Sequence, residues 1–397
     1  MSSKGWKKGK LDDIADITMG QSPAGETCNE KGDGIPLLNG PTEFGNSHPV
    51  PVQFTTDPKK FADLGDLLFC VRGSTTGRMN WANQRFAIGR GISALRHKDG
   101  NQLQPFLKAV LDFNLPTLLT EATGSTFPNV SSQQLKSLEI SIPPLQTQKR
   151  IASILAALDD KIEFNHQTNQ TLEAIAQTLF KEWFENFNFP GATGEMQDSE
   201  LGPIPKRWRV YRLGELIDSV SITHKFNCDK VIFLNTSDIE DGKILNHNYS
   251  SIEGLPGQAK KSIKKLDILF TEIRPANKRY ALINFDAEDY VVSTKLMVLR
   301  TISHIHPIII YNFITSNDVL TGLQHLAESR SGTFPQITFN QVKELKIALP
   351  KDALAEQYTK LAWSIFENKS LNEQQTQTLA QIRDNLLPKL LSGEIEV

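Results

Sequence analysis

Cysteine is scarce. Three residues, Cys28, Cys70 and Cys228, stand far apart in a chain of 397. So few, and odd in number, they exclude a disulfide framework or a cysteine-rich zinc site and suit a reducing cytosol. No apolar run reaches the length of a membrane span. The opening MSSKGWKKGKLDD has no apolar stretch of the kind a secretory signal needs. The expected location is therefore the cytoplasm, with no membrane partner. A strong net charge is missing too: the balance is −2, so any nucleic-acid footprint has to be local.

Catalytic signatures are equally absent. Gly73–Arg78 lacks the GxxxxGK[ST] spacing of a phosphate-cradling loop, and no GxGxxG follows a predicted strand. Nor is there an Asn-Pro-Pro-aromatic or Asp-Pro-Pro-aromatic tetrapeptide of the sort that closes on a flipped adenine; Ser141-Ile142-Pro143-Pro144 has the prolines without the amide or acid. His304 and His306 alternate on a predicted strand with only His325 nearby, so no metal site is expected. Asp159-Asp160 is expected on the solvated side of a helix. These absences point to a binder, not a catalyst.

What is present is a repeat. GSTFPNV (124–130) returns as SGTFPQI (331–337), and Thr126-Phe127-Pro128 meets Thr333-Phe334-Pro335 at an offset of 207. At that offset Leu138 meets Leu345, Ile140 meets Ile347, Pro143 meets Pro350, Asn165 meets Asn372, and Gln170-Thr171-Leu172 meets Gln377-Thr378-Leu379. Upstream, with small indels, Gly65-Asp66-Leu67-Leu68-Phe69 resembles Leu266-Asp267-Ile268-Leu269-Phe270, and Ala94-Leu95-Arg96 resembles Val298-Leu299-Arg300. Each copy is a globular part followed by a long helix.

Within the globular parts, segments 66–71, 91–95, 230–234, 266–271 and 290–299 read as strands: short, β-branched or apolar, and bounded by Gly, Pro, Asn or Asp. Ser131 or Ser132 caps a short helix before strand 138–142, and the pattern recurs at 339–343 and LKIAL. At the junction, Gly124 and Gly332 are expected to permit a tight turn with Phe127 and Phe334 packed beneath it; a direct ligand contact is the alternative. From 145 to 186 there is neither Pro nor Gly. Heptad a positions fall at Ile151, Leu158, Asn165, Leu172 and Leu179, with d positions at Ile154 and Ile175; the second copy places Tyr358, Ile365, Asn372, Leu379 and Leu386 at a. A helix of that length spans about 60 Å. A narrow apolar seam on it needs a partner helix, and the other copy supplies one. A central Asn at a fixes register. Phe180, Trp183, Phe184, Phe187 and Phe189 end the first helix as a docking or core stripe. Residues 190–205, PGATGEMQDSELGPIP, read as a linker.

Charge concentrates locally. Between Leu67 and Lys98 there is no acid, but Arg72, Arg78, Arg85, Arg90, Arg96 and Lys98 are present. The second copy clusters Lys260, Lys261, Lys264, Lys265, Arg274, Lys278 and Arg279 around the corresponding strand and loop. Such density suits phosphate contact, and Arg also reads guanine. The small hydroxyl-rich loop Gly73-Ser74-Thr75-Thr76-Gly77-Arg78 suits close approach to a backbone. The candidate DNA contacts are Arg72, Ser74, Thr76, Arg78, Arg90, Lys260, Lys261, Arg274, Lys278 and Arg279.

LDDKIEFNHQTNQTLEAIAQTLFKEWF (158–184) resembles the central conserved helix of type I restriction-modification specificity subunits; DSELGPIPKRW (198–208) is similar to that family's entry into its second recognition domain, and LLPKLLSGEI (386–395) to its C-terminal signature. The resemblance covers the whole chain. It implies an α+β fold: two similar α/β target-recognition domains (1–143 and 206–350) joined by two long antiparallel coiled-coil helices (144–189 and 351–397) in a pseudo-twofold repeat. It implies a non-catalytic chain whose two domains each read half of a split, asymmetric site in double-stranded DNA. It further implies that two methyltransferase subunits dock on the helices, and that restriction subunits join them. S-adenosylmethionine, ATP and magnesium would sit in those partners, with no cofactor on this chain.

Overall fold

The computed structural model describes residues 5–122, 128–330 and 333–397. Two compact units emerge: Met1–Gln167 with Asn372–Val397, and Thr168–Leu371. Each contains one globular part and a portion of both long helices.

The first unit is organised on an antiparallel sheet in the order Ala15–Met19, Ile92–His97, Leu67–Cys70, Met79–Trp81. The central LLFC is buried at every position because it is covered on both faces. Helix Gln104–Glu121 covers one of them, with Phe106, Leu107, Val110, Leu111 and Leu118 in the core. A second, five-stranded sheet follows the order Cys28–Asn29, Gln53–Thr55, Ile35–Leu38, Phe86–Ile88, Phe61–Ala62. Lys7–Lys10 pairs antiparallel with Glu139–Ile142, bringing the start of the domain to the strand that precedes the long helix.

The second unit repeats this plan. Its main sheet runs Ile217–Val220, Leu296–Thr301, Ile268–Thr271, Tyr280–Leu282, and Arg209–Arg212 closes on Lys346–Leu349. The short capping helices match as well: Ser131 and Thr338 begin Ser132–Ser137 and Phe339–Val342, each in a capping box with a Gln three residues on. The segment 290–299, expected as one strand, is two. Tyr290–Ser293 belongs to a separate four-stranded sheet and Leu296–Thr301 to the main one. The change of sheet occurs at Thr294-Lys295, where the Ser293 hydroxyl accepts the Lys295 N–H at 3.2 Å. His304 and His306 lie on no strand. His306 caps helix Pro307–Ile314, its Nδ1 accepting the Ile308 N–H at 3.2 Å.

The long helices are Leu145–Phe180, extended by one wide turn at Lys181–Glu185, and Asp352–Ser392. At 1.5 Å per residue they span about 54 and about 62 Å. The aromatic end of the first is core: Trp183 and Phe184 are buried against Tyr358, and Phe184, Phe187 and Phe189 pack on Trp208. Inside 190–205, Met196–Gln197 pairs with Ile204–Pro205, so that stretch carries a small ribbon.

Candidate nucleic-acid interface

In both units the loop after the central strand is stitched to the Thr-Phe-Pro junction. In the first, the Gly73 N–H donates to the Pro128 carbonyl at 3.2 Å, the Val130 N–H to Val71 at 2.9 Å, and Arg72 bridges Asn129. In the second, the Arg274 N–H donates to Pro335 at 3.2 Å, the Ile337 N–H to Glu272 at 2.9 Å, and Ile273 bridges Gln336. Gly124, Thr126, Phe127 and Gly332 lie outside the described residues. Phe334 does not pack beneath the turn as expected: it is 56% exposed. Pro335 is buried and its carbonyl is tied to the loop, which leaves the preceding ring on the outer face.

Six of the ten candidate side chains reach outward. Arg72, Ser74, Arg90, Lys260 and Arg274 are exposed, and Lys278 is half-exposed, 3.9 Å from the Asp241 carboxylate. Arg72 donates through Nε to Asn129 at 3.2 Å and Arg90 through Nε to Ser22 at 3.4 Å. Neither bond uses the terminal nitrogens. The other four have their polar ends engaged by carbonyls of their own domain, Arg78 while remaining exposed. The Thr76 hydroxyl lies 2.7 Å from the Gly73 carbonyl and 2.8 Å from that of Pro128, clipping the loop shut. Arg78 donates to the Pro41 and Phe44 carbonyls at 3.2 and 2.8 Å. Arg279 at the equivalent place donates to the Ile239 carbonyl at 2.9 Å. Lys261 donates to the Thr294 and Leu296 carbonyls at 3.1 and 2.8 Å. Burial pushes the Lys261 ammonium below its usual range, against a smaller upward pull from Glu272.

Charge counting along the sequence missed two structural ion pairs. Arg96 donates through Nε to Asp66 at 2.7 Å. Arg300 donates through Nε and Nη2 to Asp267, both at 2.7 Å. In both pairs the acid immediately precedes the central strand, Leu67–Cys70 or Ile268–Thr271, and the arginine lies on the neighbouring strand, so Arg96 belongs to the scaffold. The repeat alignment held the signal: it matched each acid with an acid and each Arg with an Arg. Among the described residues no group of three His, Cys, Asp or Glu is arranged to hold a metal ion.

The helices pair antiparallel within each unit. In the first, the Asn165 Nδ2 donates to the Gln375 Oε1 at 3.0 Å and Arg383 to Asp159 at 2.8 Å. Asp159 is therefore not the solvated residue expected. In the second, Lys369 pairs with Glu173, and Phe180 meets Tyr358 edge-on. Asn165 and Ile151 are buried; Leu158, Leu172, Leu179, Ile365, Asn372, Leu379 and Leu386 are half-buried. Ile175, expected at a d position, is 47% exposed, because the seam between two helices is too narrow to cover it. Each globular part is tethered to a helix at equivalent positions: Glu163 accepts the Ser47 hydroxyl, and Ser370 accepts the Asn284 amide at 2.7 Å.

A family model described as "Type I restriction modification DNA specificity domain" matches residues 3–174 and again 205–382. The chain belongs to this family. The two matched segments coincide with the two copies of the repeat. The HindI specificity subunit of Haemophilus influenzae is 40% identical over 181 residues, a match covering 45% of this chain and 39% of that subunit. The MjaIX specificity subunit of Methanocaldococcus jannaschii is 25% identical over 99% of this chain and 94% of its own length. The crystal structure of the type I restriction-modification S subunit from M. genitalium has the same fold: TM-score 0.65 at 17% identity, covering 98% of this chain and 97% of that one. No described helix is long and apolar enough to cross a membrane.

Proposed function

We propose that the chain is the DNA-reading subunit of a type I restriction-modification complex, non-catalytic and cytoplasmic. Domains 1–143 and 206–350 each read one half of a split, asymmetric site in duplex DNA. Because their loops differ in sequence, the half-sites differ. The observation that carries this reading is the duplicated loop-to-junction bonding, Gly73 to Pro128 and Arg274 to Pro335, in two family-matched copies. The proposed contacts are Arg72, Ser74 and Arg90 in the first domain and Lys260, Arg274 and Lys278 in the second. The helices 144–189 and 351–397 set the distance between half-sites and dock two methyltransferase subunits. Equivalent exposed apolar residues support two-fold docking: Phe164 and Leu371 are 60% and 61% exposed, Ile175 and Ile382 47% and 42%. S-adenosylmethionine is bound by those partners, ATP and magnesium by restriction subunits.

The test is a methylome. The chain is co-expressed with the methyltransferase encoded beside it, and modified adenines are mapped. A split motif that disappears when this chain is omitted is the expected result. A soluble complex that methylates nothing, or methylates without this chain, refutes the reading.

A further inference from the structure

The stitched loops of the two units share their junction bonding and differ in chemistry. In the first unit, Gly73 and Gly77 take left-handed φ values of 98° and 94°. Their counterparts are Arg274 and Lys278, at 44° and 53°. The correspondence is fixed by bonding: Gly73 and Arg274 each donate to a junction proline at 3.2 Å and accept from the residue three positions on, at 3.2 and 2.8 Å. Glycine adopts this region freely, whereas a residue with a Cβ is strained there. The second unit thus holds two cations at positions where glycine is the easier choice. Leu266 also replaces a glycine, Gly65, at positive φ, so divergence alone places side chains at such sites. Arg274 and Lys278 differ from Leu266 in carrying charge onto the loop beside the exposed Phe334. No carboxylate pairs with Arg274 among the described residues, and Lys278 has only Asp241 at 3.9 Å. In the first unit a Cβ on Gly77 would stand 2.6 Å from the Leu115 side chain, while one on Gly73 would meet nothing within 4 Å.

Resting on the DNA-reading function above, we propose that Arg274 and Lys278 are the phosphate clamp of the second domain, kept despite the strain. The first domain meets phosphate otherwise, through Arg72 and the exposed Ser74 hydroxyl of its glycine-bounded loop. Strain at a functional loop is a recurrent device. Its signature is that relieving it costs binding but not stability.

The experiment uses the full chain with its methyltransferase partner and a labelled mixed-sequence DNA duplex, titrated across potassium chloride. Two double variants are compared with wild type: Arg274→Gly with Lys278→Gly, and Arg274→Asn with Lys278→Asn, since Asn also tolerates this conformation. The log–log salt slope should shrink by about two in both, at roughly 0.9 per lost phosphate contact. The melting temperature should stay level or rise by a few degrees as strain is relieved. A wild-type slope in both variants overturns the clamp. So does a melting temperature lowered in both, which assigns the two side chains to the fold. Absence of any salt-dependent affinity in wild type itself sinks the underlying function, and is distinguishable because it precedes any substitution.

Discussion

Arg300→Met should damage the second unit far more than Arg96→Met damages the first, although the two arginines occupy the same place in the repeat. Asp267 is fully buried and meets Arg300, itself 20% exposed, through two bonds of 2.7 Å. Removing Arg300 leaves that carboxylate with the Lys264 N–H at 2.9 Å as its remaining donor. Losing one partner of a buried pair costs about 3–5 kcal/mol. The Arg96 side chain is 41% exposed and makes one short bond to Asp66, which is 7% exposed. Water reaches that site, and the expected loss is about 1 kcal/mol. A comparison between the two units needs a readout that reports each one separately, which a single midpoint does not. Amide hydrogen exchange of Leu67–Cys70 and Ile268–Thr271 reports each unit separately. Arg300→Met should lower the opening free energy of its strand by about 3 kcal/mol or more, and adding Asp267→Leu should restore much of it, because the stranded charge is then gone. Equal losses in the two units, or a double variant no better than Arg300→Met, would refute the reasoning.

Two further outcomes are expected. Asn165→Leu should raise the melting temperature, since Asn165 is buried and its Oδ1 has no hydrogen-bond partner among the described residues; the gain is about 1 kcal/mol, and looser helix register should appear as broadened amide resonances along the seam. A lowered melting temperature refutes this. Stability should also fall as pH drops below about 6.5, partly through His97, whose Nδ1 accepts the Asp99 N–H at 3.1 Å while Nε2 meets Gln148 at 3.1 Å. Burial holds the His97 pKa below its usual value, so the unfolded chain takes up the proton first; the contribution is intact above the unfolded value and lost as pH falls through the folded one. His97→Gln should flatten that loss in thermal melts taken across the range, and an unchanged pH profile counts against it.

Much of the fold was legible because duplication writes the same constraints twice. Asp66 and Asp267, Arg96 and Arg300, and the proline after each junction could be aligned before their contacts were known. The antiparallel helix pairing was legible from matched heptads, since a seam too narrow to be self-sufficient requires a partner. Strand limits were less so. Nothing in YVVSTKLMVLR breaks the β pattern, and the chain changes sheets at Thr294-Lys295 without a glycine or proline to mark it. The histidines failed for a related reason: alternation at 304–306 resembles a strand, but Pro307 at the first helical turn makes His306 a cap.

The candidate site was legible as a region and not as a set of side chains. Formal charge records where a cation starts, while its destination depends on which carbonyls the loop leaves open. Arg78 and Arg279 begin in the same dense clusters as Arg72 and Arg274, yet their guanidinium groups tie loops 41–45 and 237–239 to the strands beside them. The guanidinium has five donors in a fixed fork, so the group best suited to phosphate is equally suited to a pair of backbone carbonyls. Position within the loop decides between the two uses. An arginine on the residue just before the returning strand meets carbonyls of its own domain. One on the outgoing side of the turn has solvent before it. Arg78 and Arg279, at equivalent positions, both spend their guanidinium groups on carbonyls of their own domain, whereas Arg72 and Arg274, one residue apart in the repeat register, are both exposed.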